Sequence, residues 1–244
     1  MKIIGIIPAR YKSSRFPGKP LADINGKPMI WWVYDNAKKV KEITELYVAT
    51  DDQRIRQKCK DLKINVIMTS NKHKTGTDRV AEVAKKIKAD IYINIQGDEP
   101  LIKPRTIKAA IKPFLKDKNI NVTNLMTKIK KEEELIDSTV PKVVVNDKNQ
   151  GIFLSRSPIP YPKGYNDDGY YKQVCVYGFT PKALNFFFKS KRGKIEKVED
   201  IEILRFIEND FIVKFVKIKQ DTVAVDTKKD LEIVKKILKE NEGM

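Results

Sequence analysis

The sequence predicts an α/β protein: a mostly parallel sheet with helices on both faces, and a small β-rich lobe. Three observations carry this. Strand-sized apolar stretches at Lys2–Pro8, Glu45–Thr50, Ile64–Met68 and Ile91–Ile95 recur through the first half. Segments with apolar residues at helical spacing lie between them, and that alternation is the signature of βα units. The 244 residues, 41% hydrophobic and 33% charged, provide for a real core. That length is about one and a half times a usual domain, which suits one large α/β domain better than two independent ones.

The elements follow in order. Lys2–Pro8 reads as a buried strand followed by a loop rich in Pro, Gly and Ser. Pro28 to Val40 places Ile30, Trp31, Val33, Tyr34 and Ala37 on a helix face. Glu45–Thr50 is a strand, and Asp51-Asp52 opens a helix to Asp61. Ile64–Met68 is a third strand. Gly76–Lys88 is a helix with Val80, Val83, Ala84 and Ile87 inward, and Ile91–Ile95 is a strand stopped by Gln96-Gly97-Asp98-Glu99-Pro100. In a parallel sheet, ligands bind beyond the carboxyl ends of the strands. The second half is less regular. Strands are expected at Ile120–Thr127, Val143–Asn146, Ile152–Ser155, Tyr171–Thr180 and Phe211–Ile218, with a hairpin through Asp147–Gly151. Helices are expected at Pro181–Phe188, around Val198–Asn209 and from Asp226 to about Lys239. Lys163–Gly169 is the segment expected to move.

Composition excludes several classes. No window approaches a membrane-spanning length of uncharged apolar residues, and Met1 runs straight into a strand without a leader. Cys59 and Cys175 are too few for a disulfide framework, and one histidine, His73, excludes an imidazole-rich metal centre. A reduced, cytoplasmic protein without membrane partners is expected. Forty-nine Lys and Arg against thirty-two Asp and Glu give +17, which invites a nucleic-acid reading. Only nine of those cations are arginines, however, and the forty lysines are interspersed with acids. Lysine is a solvated point charge, whereas base edges are read mainly by arginine. A lysine-biased surface that favours an anionic small substrate fits better than a nucleic-acid partner.

The sharpest segment is Pro8-Ala9-Arg10-Tyr11-Lys12-Ser13-Ser14-Arg15-Phe16-Pro17-Gly18-Lys19-Pro20-Leu21. It sets Arg10, Lys12, Arg15 and Lys19 in one loop after a buried strand, with Gly18 permitting close backbone approach. Cations and N–H groups converging on several oxygens are what a polyphosphate requires. It is not a Walker A loop, because Pro20 follows Gly-Lys and no glycine precedes at the required spacing.

With Gly26-Lys27-Pro28-Met29, Ala49-Thr50-Asp51-Asp52, Gly76-Thr77-Asp78-Arg79, Gln96-Gly97-Asp98-Glu99-Pro100, Ser155-Arg156-Ser157-Pro158-Ile159-Pro160-Tyr161 and Val225-Asp226-Thr227-Lys228-Lys229-Asp230-Leu231, the chain resembles the 3-deoxy-manno-octulosonate (Kdo) cytidylyltransferase family. The resemblance spans nearly all of it. It implies a nucleotide-diphospho-sugar transferase-like, Rossmann-like fold: one domain over 1–244, with a nucleotide-binding half (1–128) and a half for sugar-acid binding and dimerisation (129–244). It also implies attack of a sugar acid's anomeric hydroxyl on the α-phosphate of CTP, pyrophosphate release, Mg²⁺ as cofactor and a homodimer.

By the same resemblance Asp98 and Asp226 are the metal ligands, and Arg15 and Lys19 hold the triphosphate; these four are the expected catalytic residues. Pro8, Ala9, Arg10, Ser13, Thr50, Asp51, Thr77, Asp78 and Arg79 complete the nucleotide site. Gln96, Arg156, Gln173, Tyr177 and Glu202 form the acceptor site, with the Arg156 guanidinium suited to the substrate carboxylate. Plainer roles stay open beside these. Asp226 or Thr227 suits a helix cap, Asp98 a turn, and Thr75 or Thr77 an N-cap. His73 reads as a solvated loop residue and Cys175 as a small buried one.

The acceptor half departs from the family pattern. Gln173 and Cys175 stand where His and often Gly are usual, and Ile203 interrupts Leu-Glu-Gln-Leu-Arg. Glutamine cannot carry the charge that histidine can, so a related acceptor, such as 8-amino-Kdo or a nonulosonic acid, stands beside neutral drift. A nucleic-acid-binding protein and an inactive nucleotide-binding homologue remain as other classes.

Overall fold

The computed structural model describes residues 1–13, 15–219, 221 and 223–242, so Ser14 of the basic loop lies outside the described residues. In chain order the elements are β1 (Ile3–Ala9), a 3-10 turn (Lys19–Leu21), β2 (Asp23–Ile24), β3 (Lys27–Pro28), α1 (Met29–Lys38), β4 (Glu45–Thr50), α2 (Gln53–Asp61), β5 (Val66–Met68), α3 (Gly76–Lys86), β6 (Ile91–Ile95) and α4 (Pro104–Lys116). They continue with β7 (Val122–Lys128), α5 (Glu132–Ile136), β8 (Lys142–Val145), β9 (Gly151–Ser155), β10 (Tyr171–Phe179), α6 (Pro181–Lys189), α7 (Lys194–Glu199), α8 (Leu204–Ile207), β11 (Val213–Ile218) and α9 (Lys228–Glu242). Among the described residues no helix is long and apolar enough to cross a membrane.

The chain divides into two compact units, Met1–Lys108 with Thr222–Met244, and Ala109–Asp221. In the first, β6, β1, β4 and β5 lie side by side and parallel. Ile3, Ile4, Ile6 and Ile7 of β1 are all buried whichever way they point, so helices cover both faces, as unbroken apolar strands require. Register decides where the site forms. Ala9 pairs with Thr50 and Thr50 with Met68, while Ile6 pairs with Asn94. The loops after these strands therefore open along one edge of the sheet. At Gly97 a Cβ would meet the Pro8 carbonyl oxygen at 2.8 Å, so only glycine lets the loop after β6 lie this close to the end of β1.

In the second unit β11 runs parallel to β7, β10 is antiparallel to β7, and β8 pairs antiparallel with both β10 and β9. A bulge interrupts β10 between Val174 and Tyr177. The β8–β9 hairpin expected through Asp147–Gly151 is present.

Two segments differ from the sequence expectation. The single helix expected around Val198–Asn209 is two short helices, α7 and α8, because Asp200 takes a left-handed conformation (φ 51°) and ends the first. The break lets Arg205 of α8 reach back to Glu196 of α7, with bonds of 2.7 and 2.6 Å to its two carboxylate oxygens. The α4 helix had no counterpart in the pattern. Pro104 and Pro113 obscure it, although Ile107, Ala110, Ile111 and Phe114 form its buried stripe.

The Arg205–Glu196 pair is dry, with side-chain exposures of 4% and 0%. Removing one partner of such a pair strands a buried charge. Arg205→Met should therefore lower unfolding free energy by about 3–5 kcal/mol in urea titrations, and Arg205→Met with Glu196→Leu should recover most of it.

Candidate active site

β1 delivers the chain to Ala9, after which the basic loop turns away from the sheet edge. Gly18, at φ 74°, closes the loop by donating its N–H to the Tyr11 carbonyl (2.8 Å) and leads into the 3-10 turn that begins at Lys19. A left-handed residue here must be glycine or strained. Phe16 anchors the loop against a cluster of Ile24, Met29, Val225, Leu231 and Val234. The Lys19 side chain, 13% exposed, then points back along the edge.

Two carboxylates meet it there. Lys19 Nζ donates to Asp98 Oδ2 at 2.7 Å and to Asp226 Oδ1 at 3.2 Å, and Arg15 Nη2 reaches Asp226 Oδ2 at 3.2 Å. Asp98 comes from the loop after β6. Asp226 comes from the turn before α9, and the main chain holds the two together, with the Val225 N–H donating to the Asp98 carbonyl at 2.8 Å. Val225 is buried in the cluster that seats Phe16. The four residues expected to be catalytic are thus one charge cluster within the first unit.

The cap of α9 separates the two readings of Asp226. Thr227 Oγ1 accepts from the Asp230 N–H at 3.3 Å, and Asp230 Oδ2 accepts from the N–H groups of Thr227 (2.8 Å) and Asp226 (3.1 Å). Thr227 and Asp230 make the reciprocal cap, which leaves the Asp226 carboxylate for Lys19 and Arg15.

The other expected nucleotide residues surround the same edge. Thr50 is buried, its Oγ1 accepting from the Asp52 N–H at 3.2 Å. Asp52 caps α2. Thr75 caps α3 with Asp78 as its reciprocal partner (3.1 and 3.2 Å), so the cap is Thr75, and Thr77 is buried behind it. Arg79 is buried, bonded to Thr69 Oγ1 and 3.4 Å from Asp51. Burial pushes its guanidinium below the ordinary value; Asp51 opposes this and nearby Arg10 adds to it. Ser13 Oγ accepts from the Phe16 N–H at 3.4 Å. The Asp78 and Arg79 side chains are engaged within the protein, whereas Arg10, directly after β1, is exposed.

His73 departs from the solvated role expected of it. Its Nε2 lies 2.5 Å from Glu82 Oε2, and Glu82 also takes the Ser70 N–H (2.8 Å) and Lys86 (2.7 Å). Burial works against the Glu82 carboxylate, but Lys86, the Ser70 N–H and His73 outweigh it and hold the group at about 2.

Among the expected acceptor residues, Gln96 belongs to the first unit and the rest to the second. Gln173 and Tyr177 flank the β10 bulge. Gln173 Nε2 donates to Asn124 Oδ1 at 2.8 Å, and Asn124 Nδ2 bridges the bulge to the carbonyls of Val174 and Val176. Tyr177 is buried and stacked on Phe179, with centroids 6.1 Å apart. Cys175 is half-buried within the bulge rather than buried. Glu202 lies between α7 and α8, its carbonyl accepting from the Arg205 N–H. Arg156, expected to grip a substrate carboxylate, bonds three carbonyls instead: Glu199 at 2.6 Å, Ser138 at 2.8 Å and Asp200 at 3.1 Å. It closes the carboxyl end of α7, where a cation is favoured.

Residues 4–232 match the cytidylyltransferase family. A 3-deoxy-manno-octulosonate cytidylyltransferase of Lawsonia intracellularis is 42% identical over 238 residues, covering 96% of this chain and 93% of that one. The chain belongs to this family. Its nucleotidyltransferase class is the one read from the ordered motifs. The enzyme of the same name from Escherichia coli is 40% identical over 237 residues, covering 97% and 96% of the two chains. A solved structure of CMP:2-keto-3-deoxy-manno-octonic acid synthetase complexed with CTP superposes with a TM-score of 0.94 at 39% identity, covering 99% of this chain and all of the other. The α/β fold expected from the sequence is therefore the family's own.

Thr227→Ala should cost about 1 kcal/mol of unfolding free energy, whereas Asp226→Asn should cost less than about 0.5 kcal/mol, as chemical denaturation would show. A second expectation concerns acid. Glu82 is held at about 2 against an ordinary 4.5, so its contribution is complete above pH 4.5 and is lost as pH falls toward 2. Glu82→Gln should flatten stability against pH across that window and leave the slope above it unchanged.

Proposed function

We propose that this chain transfers CMP from CTP to the anomeric hydroxyl of 3-deoxy-manno-octulosonate, with Mg²⁺ as cofactor and pyrophosphate as the second product. The observation that carries the reading is Lys19 shared between Asp98 and Asp226 at the mouth of a basic loop. The names of the relatives and the CTP in the similar structure support it.

The residues fit a hard divalent ion by the chemistry of the donor set. Mg²⁺ takes one or two carboxylates and fills its remaining positions with water and phosphate oxygens. Here two carboxylates converge on one ammonium, which is itself a cation between them. Among the described residues no third His, Cys, Asp or Glu joins them. Asp98 and Asp226 would hold the ion. When bound it would draw charge from an α-phosphate oxygen and lower the pKa of the attacking hydroxyl.

The reaction forms a bond from the sugar oxygen to the α-phosphorus and breaks the bond from that phosphorus to the bridging oxygen of pyrophosphate. The protein's part is placement and charge neutralisation. Lys19 and Arg15 neutralise the carboxylates and would be the cations for which a triphosphate competes. The first turn of α3 would offer N–H donors. The ends of β1 and β4 and the start of α3, with Pro8, Ala9, Arg10, Thr50, Asp51 and Thr77 to Arg79, would enclose a pyrimidine through main-chain groups. Gln173, Tyr177 and Glu202 of the second unit would serve the acid. Gln173 favours a second reading, transfer to a related sugar acid, because a neutral amide fixed to Asn124 stands where the family usually has a histidine.

Incubation with CTP, Mg²⁺ and a panel of sugar acids, followed by mass spectrometry, tests both. The expected product is CMP-Kdo with one pyrophosphate per turnover. A product formed only with another acid would move the assignment to the second reading, and no product with any acid would remove both. Asp98→Ala should lower turnover at least about a thousandfold with an unchanged melting temperature. Full turnover by that variant would remove the metal site.

A further inference from the structure

Arg54, in the first turn of α2, lies with its guanidinium carbon 3.2 Å from the ring centroid of Tyr11, inside the basic loop. Its plane is fixed before it reaches the ring. Arg54 Nε donates to Asp52 Oδ1 at 3.0 Å and Nη2 to Asp52 Oδ2 at 2.7 Å, while its own N–H donates to Asp52 Oδ1 at 2.9 Å. A guanidinium held on both oxygens of one carboxylate keeps a defined orientation and has its charge neutralised. It therefore meets the ring as a flat stacking partner.

Tyr11 connects that anchor to the loop closure. Its carbonyl receives the Gly18 N–H, and a Cβ placed on Gly18 would lie 3.1–3.2 Å from the ring atoms, so ring and glycine are in contact. The next residue is Lys19, which holds Asp98 and Asp226. The loop needs such a brace, because Arg10, Lys12, Arg15 and Lys19 repel one another. Phe16 fastens one side of it to the apolar cluster, and Tyr11 fastens the other.

We propose that Arg54 is a positioning residue for the triphosphate: acting through Tyr11, it holds the loop in the closed shape that presents Lys19 to phosphate oxygens. This rests on the CTP reading above. It assigns Arg54 no contact with substrate.

The experiment uses the full chain. Hydrogen exchange at the Gly18 amide, measured without nucleotide, reports the loop closure directly. Arg54→Ala and Arg54→Lys should each accelerate it about five- to tenfold, because lysine keeps the charge but not the plane, while Tyr11→Phe should leave it unchanged. The KM for CTP should rise by a similar factor in the two Arg54 variants, with kcat within about twofold. Unchanged exchange in Arg54→Ala overturns the proposal, as does an Arg54→Lys protein that matches the parent. Faster exchange with an unchanged KM in an active enzyme also overturns it. If the parent does not turn over CTP, the functional reading fails instead, and the exchange comparison still decides whether Arg54 braces the loop.

Discussion

Asp98 and Asp226 carry like charge and come from loops more than half the chain apart, and Lys19 is what lets them share one place. At its bond distances of 2.7 and 3.2 Å the ammonium outweighs the repulsion between them, with Arg15 assisting on Asp226. The rest of the first unit serves that contact. The register of β6, β1 and β4 sets the depth of each loop, Gly97 lets the loop after β6 lie against the Pro8 carbonyl, and Val225 ties the turn before α9 to Asp98. A shift of one residue in the β1 register would break the pairing of Ala9 with Thr50 and move the loop that carries Lys19 along the sheet edge, so sheet and site are specified together.

The large positive charge becomes intelligible in the same terms. A cluster of two carboxylates and two cations is neutral by itself and offers an anion no net attraction. The wider lysine surface supplies a long-range field for an anionic nucleotide, while orientation comes from a few fixed donors. Such a field is screened within about 8 Å at physiological salt, so it acts on encounter, and the loop acts on the bound state.

Much of this was legible in the sequence. Buried parallel strands announce themselves as apolar runs, and the ordered motifs announce the cytidylyltransferase family. What could not be read was which polar side chain spends its hydrogen bonds on the protein. Asp226 and Thr227 are equally good caps on paper, and only the reciprocal bonds of Asp230 separate them. His73 has no partner within the usual motif spacing, yet the turn from Ser70 to Thr75 brings it to Glu82, nine residues on. The helix expected around Val198–Asn209 failed because periodicity records a buried face without recording that Asp200 reverses the chain.

Arginine was the most misleading letter. A guanidinium that matches a substrate carboxylate in shape matches a fan of carbonyls equally well. Arg156 holds three of them at the end of α7, Arg205 spans Glu196 and the Phe187 carbonyl, and Arg79 is buried on Thr69 and Asp51. Arg54 is clasped by Asp52. Four of its nine arginines are thus committed to its own framework, whereas Lys19 and Arg15 meet the carboxylates of Asp98 and Asp226. An ammonium is the better choice for a group that must release one set of anions and take up another. It has no planar geometry to satisfy, and it rotates between partners at little cost. The arginines hold the frame, and the Lys19 ammonium joins the two carboxylates.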